Sequence, residues 1–68
     1  MDSIRLEYEI KKAGKTIAQL CNDCNISRTA YYRKTHGQSE FTLGEIKTIM
    51  NYLGLKSPMG IFFEEEVS

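Results

Sequence analysis

The 68-residue sequence contains no tryptophan, one proline, one histidine and two cysteines. A structural zinc site takes about four ligands. Because the sequence has so few cysteines and histidines, we predict no metal site and no cofactor. No stretch approaches the ~18 apolar residues that a membrane span requires. Charges recur through residues 1–10, which is unlike a signal or transit peptide. These shortages predict a cytoplasmic protein with no membrane segment.

The two cysteines, Cys21 and Cys24, lie three positions apart. Without a secretory signal a disulfide is not expected, and we predict that both are small buried core residues. The sequence shows no carboxylate pair, no nucleophile with a neighbouring base and no metal-ligand cluster. His36 stands alone, so a surface or helix-end role is expected. These patterns predict that the protein is not an enzyme.

A chain of this length forms one domain, residues 1–68, and buries only about 60% of its unfolded surface. Its formal net charge is zero, which by itself disfavours a nucleic-acid partner. The charge is unevenly distributed, however. Residues 1–36 carry seven basic and four acidic side chains, whereas residues 37–68 carry two basic and five acidic ones. This asymmetry indicates that one face meets an anionic partner.

Capping residues and apolar periodicity predict a compact all-α fold of five helices. The predicted N-caps are Ser3, Thr16, Ser27, Thr42 and Ser57. Thr16 with Gln19, and Thr42 with Glu45, have the spacing of capping boxes. Pro58 at the first helical position would open a short fifth helix that ends at Phe63. The residues that follow, 64–68, form an acidic tail.

The predicted core faces follow from the helical spacing of apolar residues. They comprise Leu6, Ile10 and Ala13 of the first helix; Ile17, Leu20, Cys21 and Cys24 of the second; Ala30 and Tyr31 of the third; and Leu43, Ile46, Ile49, Met50 and Leu53 of the fourth. Ile61, Phe62 and Phe63 leave alternatives open. Some of the three must enter the core, and an exposed remainder would form a protein-binding patch.

Residues 16–37, TIAQLCNDCNISRTAYYRKTHG, have the features that a helix-turn-helix demands. Cys21 is small enough for the point where two helices cross, and Asn25 tolerates the positive φ of a tight turn. Ile26 provides a hydrophobic plug after the turn, and Ser27 caps the next helix. That helix has a polar outer face suited to the major groove of DNA. The residues of this face are Arg28, Thr29, Tyr32 and Arg33.

This segment resembles the Cro/cI-type (XRE, λ-repressor-like) helix-turn-helix family. The family pattern runs T-x-x-x-L-A-x-x-x-G-I-S-x-x-[ST]-[LF]-x-[RK]-x-x-x-G. The matching residues here are Thr16, Leu20, Cys21, Asn25, Ile26, Ser27, Ala30, Tyr31, Arg33 and Gly37. Together with FTLGEIKTIMNYLGL and IFF, the chain is similar to short phage and prophage Cro-like regulators of Gram-positive hosts. Three positions depart from the pattern: Ile17, Asn25 and Thr35.

The resemblance implies contact roles for particular residues. It implies that Ser27, Arg28, Thr29 and Arg33 read bases, and that Tyr32 reaches a base edge or a phosphate. It implies phosphate contacts by Thr16, Gln19, Lys34, Gln38, Ser39 and Thr42. An arginine that donates to guanine O6 and N7 contributes ~1–3 kcal/mol of discrimination.

We therefore predict a sequence-specific transcription regulator, a repressor or switch of a phage lysis–lysogeny circuit, that binds operator DNA through residues 27–36. One module makes few base contacts, so a homodimer on two half-sites is expected. The alternative is a protein-interaction module, an anti-repressor or modulator that binds a partner phage repressor through Ile61, Phe62 and Phe63. An antitoxin-type regulator is a variant of that alternative.

Overall fold

The computed structural model describes residues 1–63. They form four α-helices: α1 (Ser3–Lys12), α2 (Ile17–Asp23), α3 (Arg28–Thr35) and α4 (Leu43–Leu53). The all-helical class is confirmed, since the only β pairing within these residues is one isolated bridge. None of these helices combines the length and apolar character needed to cross a membrane. The predicted acidic tail, residues 64–68, lies outside the described residues.

Three of the predicted N-caps are confirmed. The hydroxyls of Thr16, Ser27 and Thr42 each accept the backbone N–H three residues on, at 3.0–3.1 Å. The side chains of Gln19 and Glu45 accept the amides of the two threonines in return, which completes both capping boxes. Helices α2 and α4 therefore begin where local sequence places them.

The first helix is capped by Asp2 and not by Ser3. The Asp2 carboxylate accepts the Arg5 N–H at 3.0 Å, and Ser3 is the first helical residue. An ionised carboxylate offers the unpaired N–H groups of a helix start a charged acceptor, and it is also favoured by the helix dipole. Asp2 therefore competes successfully with the neighbouring serine.

The predicted fifth helix is wrong, because residues 58–63 form a closed turn. The carbonyl of Pro58 accepts three successive amides, those of Ile61, Phe62 and Phe63. Gly60 adopts a left-handed φ of 82°, which breaks a helical path, and its N–H donates to the carbonyl of Phe63 at 2.8 Å. The Ser57 hydroxyl accepts the Met59 N–H in a local turn. The serine–proline pair thus begins a turn here.

One hydrophobic core joins all four helices to this C-terminal turn. Its buried members are Leu6, Ile10, Leu20, Cys21, Ile26, Tyr31, Ile46, Ile49, Ile61 and Phe62. The carbonyl of Ile61 accepts the Asp2 N–H at 2.7 Å. The start of α1 is therefore tied to the turn that supplies two core side chains.

Two residues predicted for the core faces are exposed, Ala13 and Leu43, the latter by 69%. Five more are only half-buried against the core: Ile17, Cys24, Ala30, Met50 and Leu53. Leu43 is the first residue of α4, and side chains of a helix tilt towards its N-terminus. The Leu43 side chain therefore points past the end of the helix and away from the core. Ala13 and Cys24 are C-caps, where the buried faces of α1 and α2 end.

Candidate nucleic-acid interface

A short turn joins α2 to α3. Asn25 has φ 58°, as predicted, and the Ile26 N–H reaches back to the Cys21 carbonyl at 2.8 Å. Ile26 is buried, and Ser27 caps α3 immediately afterwards. The left-handed residue reverses the chain and the buried isoleucine anchors it. This geometry fixes where α3 begins and which of its side chains face inwards.

The outer face of α3 is exposed. Its exposed side chains are Arg28, Thr29, Tyr32 and Arg33, while Tyr31 lies in the core and Ala30 is half-buried against it. Neither arginine forms an ion pair with any residue between 1 and 63. Ser27 is exposed too, and its oxygen accepts the Ala30 N–H, so its own hydroxyl hydrogen remains available. The structure thus brings all five residues predicted to read bases onto one helix and its cap.

His36 joins this surface, although no contact role was predicted for it. It is the C-cap of α3, in line with the helix-end role predicted for it. Its ring stacks on Tyr32 with centroids 3.8 Å apart. The Nδ1 atom lies 2.8 Å from the Tyr32 carbonyl, so Nδ1–H donates to that carbonyl and Nε2 faces away from the bond. The i, i+4 spacing of tyrosine and histidine was the sequence signal for this contact.

Lys34 lies apart from the other cations of α3. Its Nζ donates to Glu45 Oε1 at 2.6 Å and lies 5.6 Å from the centre of the Phe41 ring, and the Lys34 side chain is only 14% exposed. Burial opposes ionisation of Glu45, but the hydrogen bonds from Lys34 and Thr42 outweigh it and lower the pKa of this carboxyl. Lys34 and Glu45 are 11 positions apart in the sequence, so no local pattern predicted this ion pair. The ammonium group of Lys34 is therefore engaged in a contact within the fold.

The remaining predicted phosphate contacts form two groups, one near each end of α3. At one end, Thr16 shares a cleft with Arg28, and its capping partner Gln19 follows in α2. At the other end, the amides of Gln38 and Ser39 donate to the Arg33 carbonyl, at 2.8 and 3.3 Å. Thr42 then caps α4. The two groups therefore flank the exposed face of α3.

Tyr31 places a hydroxyl beneath this face without a partner. The residue is 6% exposed, and no atom within residues 1–63 forms a hydrogen bond with its hydroxyl. Burial is the main cause that raises the pKa of Tyr31 to about 12, and the Glu7 carboxylate raises it further. Tyr31 is therefore neutral at physiological pH.

The C-terminal turn divides the residues predicted as a protein interface. Ile61 and Phe62 are buried, whereas Phe63 is 43% exposed. Phe63 and the exposed Met1 line a cleft of about 260 Å³, and Phe41 is also among its lining residues. Only Phe63 is thus the exposed remainder that the sequence left open.

Both thiols are partly or fully shielded from solvent, Cys21 being buried and Cys24 half-buried. Burial raises the pKa of both Cys21 and Cys24, which disfavours the reactive thiolate. In the part of the chain that the structure describes, no three histidine, cysteine or acidic side chains are placed to hold a metal ion.

Comparison of the chain with protein-family models, curated proteins and solved structures gives no match. The capped α2–turn–α3 unit and the side chains it exposes are therefore the features that bear on function.

Proposed function

We propose that the protein is a sequence-specific DNA-binding transcription regulator in which α2, the turn and α3 act as a helix-turn-helix. The observation that carries this proposal is the outer face of α3, where two arginines that form no ion pair within residues 1–63 lie beside exposed hydroxyls. Arginine donates bidentately to guanine, and a threonine methyl packs against that of thymine. In this proposal Arg28, Thr29 and Arg33 read base edges in the major groove, with Ser27 and Tyr32 beside them.

Phosphate contacts at both ends of α3 would set its register on the duplex. We assign them to Thr16 and Gln19 at one end, and to Gln38, Ser39 and Thr42 at the other. Lys34 is left out of this set, because its ammonium group is paired with Glu45. The exposed N–H groups at the start of α4 suit an anionic oxygen.

A neutral chain has weak general attraction to DNA, so one domain holds a site poorly. We propose that two copies bind half-sites about one helical turn apart, ~34–36 Å, on a pseudo-palindromic operator. This is the arrangement of a phage or prophage Cro-like switch, acting in the cytoplasm of the host. A divergently encoded repressor and a neighbouring integrase gene would support that setting.

The proposal is tested by selecting the preferred duplex from a random pool and measuring its dissociation constant against a scrambled duplex over a series of salt concentrations. Arg28→Ala is expected to weaken binding to the preferred duplex about tenfold and to relax base preference. Lys47→Ala, which removes an exposed cation of α4, is the matched control and should leave that preference intact. Equal affinity for both duplexes at every salt concentration would refute sequence-specific binding.

Exposed Phe63 and Met1 favour a second candidate function, binding of a partner repressor. In that case the protein would co-purify with the divergently encoded repressor, and Phe63→Ala would abolish the complex while Arg28→Ala would leave it intact. If the Phe63→Ala variant still formed the complex, Phe63 would not be part of the surface that binds the repressor.

A further inference from the structure

Helix α4 carries a polar contact at each end, and the two contacts reach the two helices of the proposed helix-turn-helix. Near the start of α4, Glu45 accepts the Lys34 ammonium of α3 at 2.6 Å. In its last turn, the Tyr52 hydroxyl donates to Asp23 Oδ2 of α2 at 2.5 Å, across 29 residues of sequence. Among residues 1–63, these two are the side-chain hydrogen bonds that join one helix to another. Helix α4 is therefore bonded to both α2 and α3.

The bond between Tyr52 and Asp23 is a charge-assisted one. Its length lies at the short end of the range of about 2.5–2.7 Å that such O–H···O⁻ bonds have. Asp23 is the last residue of α2, so the bond holds the end of the helix just before the left-handed Asn25. The same bond is the main cause that raises the pKa of Tyr52 to about 12. The phenol therefore stays protonated, and able to donate, at physiological pH.

The ring of Tyr52 also contacts a cation from the other end of α2. Lys15 directly precedes the N-cap Thr16, and its Nζ lies 5.3 Å from the centre of the Tyr52 ring. A cation within about 6 Å of an aromatic face is attracted to its π electrons. The Lys15 N–H donates to the Ile10 carbonyl at 3.0 Å, which fixes the neighbouring backbone to α1. Tyr52 therefore contacts a residue at each end of α2.

We propose that Tyr52 is a positioning residue for the helix-turn-helix. It anchors α2 to α4, while Glu45 anchors α3, so that α4 acts as a brace that fixes the angle between α2 and α3. The phosphate contacts proposed for Thr16 and Gln19 belong to α2 and the base contacts belong to α3. Both sets form together at least cost when the angle is set before DNA binds. This inference rests on the proposed DNA-binding function.

The first test needs no DNA. Tyr52→Phe keeps the ring beside Lys15 and removes only the hydroxyl that bonds to Asp23. We expect it to reduce the residual dipolar couplings of α2 amides relative to those of α3 in NMR spectra, because α2 then samples a wider range of orientations. The matched control is Tyr8→Phe, the same change at an exposed tyrosine of α1. Relative couplings that are equal in the wild type and Tyr52→Phe would overturn the brace.

The second test compares two neutral replacements of Asp23. Asp23→Asn keeps an oxygen that can accept the Tyr52 hydroxyl, whereas Asp23→Ala keeps none. Both remove the same negative charge, so the general attraction for phosphates changes equally.

The quantity measured is the ratio of affinities for the preferred and scrambled duplexes, at a temperature where both variants are fully folded by circular dichroism. Asp23→Ala is expected to have a ratio about threefold lower than that of Asp23→Asn. Equal ratios would refute a role for the Tyr52 anchor in base preference. If the wild type prefers no duplex, the proposed function fails, and the NMR comparison of Tyr52→Phe decides by itself whether α4 braces the two helices.

Discussion

Glu45 serves two parts of the molecule at once. One carboxylate oxygen accepts the Thr42 N–H at 2.8 Å and the Lys34 ammonium at 2.6 Å. The first bond closes the capping box of α4, and the second ties α4 to α3. A partly buried ion pair of this kind stabilises more than an exposed one, because solvent screens it less. The lysine is thus part of the scaffold behind the outer face of α3.

We expect Lys34→Ala to lower the free energy of unfolding by about 1 kcal/mol at pH 7. Glu45 has a lowered pKa in the folded state, so the stabilisation is present above the ordinary carboxyl pKa of about 4.3 and is lost as the pH falls through the lower folded value. Urea denaturation at pH 7 and at successively lower pH values should show the difference from wild type shrink as Glu45 becomes protonated. Lys47→Ala serves as the control at each pH, and a difference between Lys34→Ala and wild type that does not shrink as the pH is lowered would contradict the assignment.

At the scale of elements, the two glycines at the ends of α4 differ in their backbone conformation. Gly54 ends α4 at φ 69°, in the left-handed region that other residues enter at a cost. Gly44, in the first turn of the same helix, has ordinary helical geometry, and a Cβ added there would meet only Thr42 Oγ1, at 3.9 Å. The fold requires glycine at the end of α4 but not at its start.

The same substitution is therefore expected to have opposite effects at these two glycines. Gly44→Ala should raise the free energy of unfolding by about 0.5 kcal/mol, and Gly54→Ala should lower it by about 1 kcal/mol. Chemical denaturation of both variants and the wild type measures the two changes in the free energy of unfolding.

If DNA backbone approaches the start of α4 as proposed, Gly44→Ala should also weaken DNA binding despite its greater stability. A stable Gly44 variant with unchanged affinity would remove this helix start from the proposed interface.

At the scale of the whole molecule, the C-terminal turn is part of the core and not an appendage. Ile61 is 3% exposed, and its carbonyl binds the Asp2 amide that precedes α1. Phe62 extends an edge-to-face series of rings through Phe41 to Tyr31, with centroids 5.5 and 6.4 Å apart. The turn therefore supports α3 from behind.

Truncation of Ile61, one of the two core residues that the turn supplies, should be costly. We expect Ile61→Ala to lower the free energy of unfolding by about 2–5 kcal/mol, because it leaves a cavity in a small core. Phe63 is a neighbouring aromatic residue that is exposed. Phe63→Ala should therefore lower the free energy of unfolding by less than about 1 kcal/mol. Thermal or urea denaturation would distinguish them, and equal losses would mean that the turn is not anchored through Ile61.

Local sequence determined the all-helical class, two capping boxes, the cap of α3 and the left-handed Asn25, because each depends on residues within a few positions of one another. It also placed the exposed residues of α3 correctly, since helical periodicity separates them from Tyr31. Local signals misjudged residues 57–63, where a serine and a proline resemble a helix start but Gly60 closes a turn.

Only the tertiary structure decided which charges are available. It paired Lys34 with Glu45 across 11 residues, and it buried Ile61 and Phe62 but left Phe63 exposed. These outcomes depend on how helices pack, and no short-range pattern encodes that. Residue spacing determines the face that a helix presents, whereas its neighbours determine which side chains on that face remain unpaired.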